Sequence, residues 1–241
     1  MRILIILLLM PFVAFANEQK LVKQFFGPDG VKNKEDVYIG EMLTHYMDEP
    51  TLGEDLPKGI EISMRLVEKA PMREIYAVLL SKDGRSQDWY IYLVNDQNKW
   101  KISAVRTLAL PGLFFMALQE VESKSSRTDE EEYRYQNMLL TSKADSELKD
   151  FLHKNIDRLN SIAFEAAANL DKTKKIARSL YLNTVQYEAE SGIVDVNIGG
   201  MLDNSVGYFY VPKNAVVPRM TDDNYIYIER VVGDWYLYKT T

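Results

Sequence analysis

The strongest constraint on the fold is a segment that occurs twice. Asp88-Trp89-Tyr90-Ile91-Tyr92-Leu93 leads through the turn-rich Asn95-Asp96-Gln97-Asn98 into Trp100-Lys101-Ile102. Asp223-Asn224-Tyr225-Ile226-Tyr227-Ile228 leads through Val232-Gly233-Asp234 into Trp235-Tyr236-Leu237. At a constant offset of 135 residues, Tyr90, Tyr92 and Trp100 fall on Tyr225, Tyr227 and Trp235. Alternating aromatic and β-branched residues divided by turn residues read as antiparallel strands. Upstream, Glu74-Ile75-Tyr76-Ala77-Val78 matches Tyr208-Phe209-Tyr210-Val211 with a slip of one residue, and Gly59-Ile60 faces Gly192-Ile193. The pattern predicts two similar halves, each ending in a meander of about four strands.

Helical patterns precede each meander. Glu18 to Phe26 and Lys34 to Met47 are expected as helices on either side of the turn Gly27-Pro28-Asp29-Gly30. Leu148, Leu152, Ile156, Leu159, Ala163, Ala166 and Leu170 step by threes and fours, which is one helical face. Ser142, with Asp145 three residues on, supplies a capping-box start for it. The chain therefore divides into an α+β domain over residues 17–110, a helical connector over 111–142, and a second α+β domain over 143–241. The expected class is α+β, each half being helices followed by a curved antiparallel sheet. By analogy of fold, the arrangement is that of cystatin-like or NTF2-like domains.

Residues in the second half also carry a likeness. Asp145-Ser146-Glu147-Leu148 with Phe151, then Gly207-Tyr208-Phe209-Tyr210, Tyr225-Ile226-Tyr227-Ile228 and Trp235-Tyr236-Leu237-Tyr238, resemble the pattern of uncharacterised bacterial exported proteins. The likeness covers about 100 residues and implies export and a fold. It brings no catalytic residues with it.

The N-terminus agrees with export. Met1-Arg2, the apolar run Ile3 to Met10, Pro11, and the small residues Ala14 and Ala16 ahead of Asn17 form a signal peptide over residues 1–16. The apolar run is too short to span a bilayer. Cleavage after Ala16 and the lack of cysteine for a lipid anchor place the product free in the periplasm or medium. Removing Arg2 with the signal leaves 28 basic against 35 acidic residues, a net charge of −7. Such a chain is a poor match for nucleic acid or anionic membranes, whose binding rests on Lys and Arg. With no cysteine, thiol catalysis and thiolate metal sites are excluded, and the fold is held by packing alone.

Few residues point to chemistry. His45 and His153 are the only histidines and lie in different halves, so no metal-ligand spacing arises and no cofactor is expected. His153 lies on the polar side of its helix; His45 is the candidate general base if a cavity surrounds it. The acid pairs Asp48-Glu49, Glu54-Asp55 and Asp222-Asp223, and the run Asp129 to Glu132, follow no calcium-loop pattern. The run Asp129 to Glu132 suits a helix N-terminus.

Tyrosine is the most suggestive residue. Alternate strand residues share a face, so Tyr208 pairs with Tyr210 opposite Phe209 and Val211, Tyr225 with Tyr227 opposite Ile226 and Ile228, and Tyr236 with Tyr238 opposite Trp235 and Leu237. These six are the candidate binding residues, tyrosine being apolar in body, polar at its tip and enriched at interfaces. The expected function is that of an exported, non-enzymatic protein-binding module such as an inhibitor or immunity protein, with another envelope or secreted protein as partner. A small-ligand carrier or sensor and a cavity enzyme are the alternatives.

Overall fold

The computed structural model describes residues 15–241. Its helices are α1 (Phe15–Phe25), α2 (Lys34–Val37), α3 (Glu41–His45), α4 (Leu52–Asp55), α5 (Gly112–Glu122), α6 (Asp129–Thr141), α7 (Asp145–Lys154), α8 (Ile156–Glu165) and α9 (Leu170–Arg178). Its strands are β1 (Glu61–Ala70), β2 (Arg73–Lys82), β3 (Arg85–Asp96), β4 (Lys99–Thr107), β5 (Thr184–Tyr187), β6 (Val194–Met201), β7 (Asn204–Tyr210), β8 (Tyr227–Val232) and β9 (Trp235–Lys239). The class is α+β, with two antiparallel sheets. The expected signal peptide lies outside the described residues except for Phe15 and Ala16, with which α1 opens.

The first sheet has the order β1-β2-β3-β4 of a simple meander, but the second has five strands in the order β5-β6-β7-β9-β8. The hairpins β3–β4 and β8–β9 carry the repeated segment and turn tightly. Gln97 and Asn98 both take positive φ in the first, as a two-residue turn that follows the strand twist requires. Their neighbours differ. In the second sheet β9, the later strand of its hairpin, pairs with β7 and leaves β8 at the edge.

Two helical expectations need correction. Lys34 to Met47 is broken into α2 and α3, because Tyr38 leaves the helix to bridge Ile102 of β4 and Gly40 turns the chain at φ 61°. The face from Leu148 to Leu170 is shared by three helices, not one. Asn155, at φ −113°, separates α7 from α8, and Asn169 caps α9 by accepting from the Lys172 N–H at 3.0 Å. The start of that face also moves. Ser142 closes α6, and α7 begins where the Glu147 carboxylate accepts the Ala144 N–H at 3.1 Å. The spacing alone predicts one helix because α7 and α8 both bury stripes at threes and fours, Leu148 with Leu152 and Leu159 with Ile162.

The chain forms two compact units, the first comprising residues up to Tyr76 with Ile91–Val105, the second Ala77–Tyr90 with Arg106–Thr241. In the first, α1 buries Leu21, Val22 and Phe25, and Phe25 sits 5.2 Å from Phe26 and 6.5 Å from Tyr38 by ring centroids. Gly53 of α4 lies so close to the Phe26–Gly27 backbone that a Cβ there would stand 2.2 Å from the Gly27 carbonyl oxygen. In the second unit, α7 packs on β8 and β9 and α6 on β6. A bulge between Asn197 and Gly199 lets α6 approach, and Asn137 donates to the Ile198 carbonyl at 2.6 Å.

Candidate functional site

Register, which the sequence does not show, decides where the six tyrosines go. Tyr208 pairs across from Leu237, Tyr210 from Trp235, and Tyr227 from Lys239, so these three share the face that α7 covers. Tyr208 is fully buried and donates to the Leu148 carbonyl at 2.7 Å. Tyr227 is fully buried, stacks on Tyr90 at 4.7 Å and donates to Glu229 Oε2 at 2.6 Å. Tyr210 is half-buried, edge-on to Trp235 and to Phe164. Tyr236 and Tyr238 lie on the opposite face, across from Phe209 and Gly207. Tyr225 precedes β8 and packs edge-on against Phe209 at 5.5 Å and Tyr238 at 5.8 Å, away from Tyr227. The six therefore do not make one exposed face. Tyr208, Tyr227 and Tyr238 are buried, and their rings serve the core on both sides of the sheet.

Behind the inner face lies a buried ionic cluster. Lys239, 3 % exposed, places its Nζ 2.8 Å from Asp145 Oδ1 and 3.1 Å from Asp88 Oδ2. Tyr90 donates to Asp145 Oδ1 at 2.8 Å, and Asp88 Oδ2 accepts the Asp145 backbone N–H, also at 2.8 Å. Asp88 thus caps α7 from a distant strand, where the helix dipole favours its charge. Burial pushes the Asp88 carboxyl above its usual range against the pull of Lys239. For Lys239, burial works against the charge, but Asp145 and Asp88 outweigh it and hold the ammonium above its ordinary value. Beside the cluster, Lys149 pairs with Glu229 at 2.9 Å. Three segments far apart in sequence are pinned at one point, and removing one partner of such a set costs about 3–5 kcal/mol.

On the outer face, Tyr238 lies flat against Phe209 at 4.2 Å and over Gly207, where a Cβ would meet its hydroxyl at 2.5 Å. Its hydroxyl donates to Asp195 Oδ1 at 2.8 Å and accepts from Asn197 Nδ2 at 3.4 Å. Desolvation pushes the Asp195 carboxyl up to about 6, with only the tyrosine hydroxyl opposing it. Burial, then Asp195 and Glu188, raise the Tyr225 hydroxyl above its ordinary range. A partly accessible carboxyl that titrates in this range is able to exchange protons near neutrality.

His45 closes α3 and His153 stands in the last turn of α7; both are exposed. In the first unit a cleft of about 690 Å³ is lined by Lys32, Lys34, Glu35, Asp48 and Glu54 among others, and His45 is not in its wall. It is open and lined with charges of both signs, unlike the mostly apolar enclosure of a carrier. The Lys34 ammonium is held by the carbonyls of Met47 and Glu49. Among the described residues no group of three His, Asp or Glu side chains is placed to hold a metal ion, and no helix is long and apolar enough to cross a membrane.

The clearest exposed apolar surface is on α5. Leu113 and Met116, one turn apart, are 65 % and 64 % exposed, and Phe115 beside them is 45 % exposed. Phe114 and Val121 point into the core and anchor the helix. The sequence carries no charge between Arg106 and Glu120, so the signal for this face was present as the greasiest stretch of the connector. It was hidden because an apolar run reads equally well as buried. The signal for Lys239 was a lysine in the same strand parity as Trp235 and Leu237. Compared with known proteins, the chain matches no family model, no curated protein and no solved structure.

Proposed function

We infer that the chain is exported and acts as a non-enzymatic protein-binding module, of the kind that occludes an envelope or secreted partner as an inhibitor or immunity protein does. The observation that carries this reading is the α5 face, where Leu113, Phe115 and Met116 stand in water on a helix anchored from beneath. Large apolar side chains grouped on a rigid element mark an interaction surface more often than scattered ones do. The signal-like N-terminus and the net acidity support a soluble partner outside the cytoplasm over nucleic acid or lipid.

The test is a paired capture. Chains 17–241, one unaltered and one with Leu113→Ser and Met116→Ser, are immobilised and offered periplasmic and secreted fractions. We expect one near-stoichiometric protein to be retained by the unaltered chain and lost by the double variant, with melting temperatures within about 2 °C because both side chains are already exposed. Equal retention by both chains would remove α5 from the reading. No retention by either would remove the reading itself.

A further inference from the structure

Helix α1 buries one face at threes and fours: Glu18, Leu21, Val22 and Phe25 are buried, while Asn17, Gln19, Lys20, Lys23 and Gln24 are exposed. Leucine, valine and phenylalanine are what such a face calls for, and a carboxylate is not. Glu18 is 3 % exposed and its Oε2 meets no donor. A carboxylate taken out of water is tolerated only when paired or hydrogen-bonded.

The surroundings supply more negative charge. Glu74 of β2 is buried and accepts from the Tyr76 hydroxyl at 2.8 Å. Burial raises that hydroxyl well above its ordinary value, and Glu74 and then Glu18 add to the rise, so both acids lie close to Tyr76. Lys69 Nζ stands 3.2 Å from Glu74 Oε1, with half of its side chain in solvent. Lys69 at the edge answers Glu74, and among the described residues no cation is paired with Glu18.

One more cation belongs at this place, made by processing and not encoded as a side chain. Hydrolysis of the Ala16–Asn17 peptide consumes one water and leaves a carboxylate on Ala16 and an amine on Asn17. That amine is protonated at neutral pH, its ordinary pKa being about 7.7–8.0. Helical side chains lean toward the N-terminus, so Glu18 leans over the turn ahead of its own Cα, on the side from which Asn17 enters α1. We propose that the α-ammonium freed at Asn17 by removal of residues 1–16 is the partner of Glu18, so that signal cleavage completes the core of the first unit. The proposal rests on the export reading and adds a structural consequence to it. The mature fold is more stable than the same fold with any residue ahead of Asn17.

The experiment has two parts that fail separately. The full chain is expressed for export, purified, and its intact mass measured; a first residue other than Asn17 would overturn both the cleavage position and the proposal. Melting temperatures are then compared for chains beginning at Asn17 and chains with Ser-Ala ahead of it, each with Glu18 and with Glu18→Gln. We expect the extension to lower the melting temperature by about 5 °C with Glu18 present, on the order expected for one buried pair in a chain of this size, and by less than about 1 °C in the Glu18→Gln background. An equal loss in both backgrounds would overturn the pairing while leaving export intact. Titration of the Asn17 amine in the unaltered mature chain needs no variant. A midpoint well above about 8 supports the pair, and an ordinary midpoint sinks it.

Discussion

Asp88 and Asp145 sit on either side of Lys239 behind the inner face of the second sheet, whereas Asp195, on its outer face, has the hydroxyl of Tyr238 against it and no cation among the described residues. All three carboxyls have lost water. The inner pair faces an ammonium that favours the charged carboxylate, while burial and the like charge of Asp145 work against the charge on Asp88. Among the described residues the outer carboxyl faces no cation, so burial lifts it to about 6 and its charged form at neutral pH is carried at a cost. The comparison teaches that burial by itself does not say whether a carboxyl stabilises a fold. What faces it does.

The largest expected effect comes from breaking the matched site. Lys239→Met takes the Lys239 ammonium away from Asp88 and Asp145 and should cost about 3–5 kcal/mol in urea unfolding. Adding Asp88→Asn to that variant should recover part of the loss. A cost below about 1 kcal/mol would mean that the cluster is solvated and the contrast with Asp195 empty. Next is Gly207→Ala, whose Cβ would fall 2.5–2.7 Å from Tyr238 ring and hydroxyl atoms. Overpacking of this kind costs about 1–3 kcal/mol, and it should also push the hydroxyl off Asp195. A variant as stable as the parent would show that the ring is free to move.

The smallest effect carries a sign. Asp195 has a folded pKa of about 6 against an ordinary 3.8, so its contribution to stability is fully present below the ordinary value and is lost as pH rises through about 6. Asp195→Asn should therefore stabilise the chain at pH 7 by about 1–2 kcal/mol, the group being partly accessible, and the difference between the two chains should shrink toward pH 4. A variant less stable than the parent at pH 7 would reverse the comparison and imply a cation partner for Asp195.

Much of the architecture was legible from local pattern. The repeated Tyr-x-Tyr and Trp segments marked both hairpins, and Asp129 to Glu132 marked the start of α6, where Thr128 and Glu131 form a capping box and Lys124 and Thr128 hold the Glu131 carboxyl down at about 2. The candidate site was less legible. The six tyrosines were paired by alternation within each strand, but faces are matched between strands by register, which alternation does not show, and Tyr225 lies outside β8 altogether. Residues 145–178 show a similar limit. Periodicity reports which residues are buried, and α7, α8 and α9 keep the same stripe across breaks at Asn155 and Asn169.

By itself the sequence determined the class, the two hairpins and the expectation of export, because propensity, alternation and turn chemistry act over a few residues. Only the tertiary structure decided that β9 lies between β7 and β8, that Tyr208 and Tyr227 are core, that Lys239 answers two aspartates up to 151 positions away, and that α5 turns Leu113 and Met116 outward. Those outcomes depend on long-range packing and on the desolvation of charges. Their energies come from groups that meet only when the chain is folded.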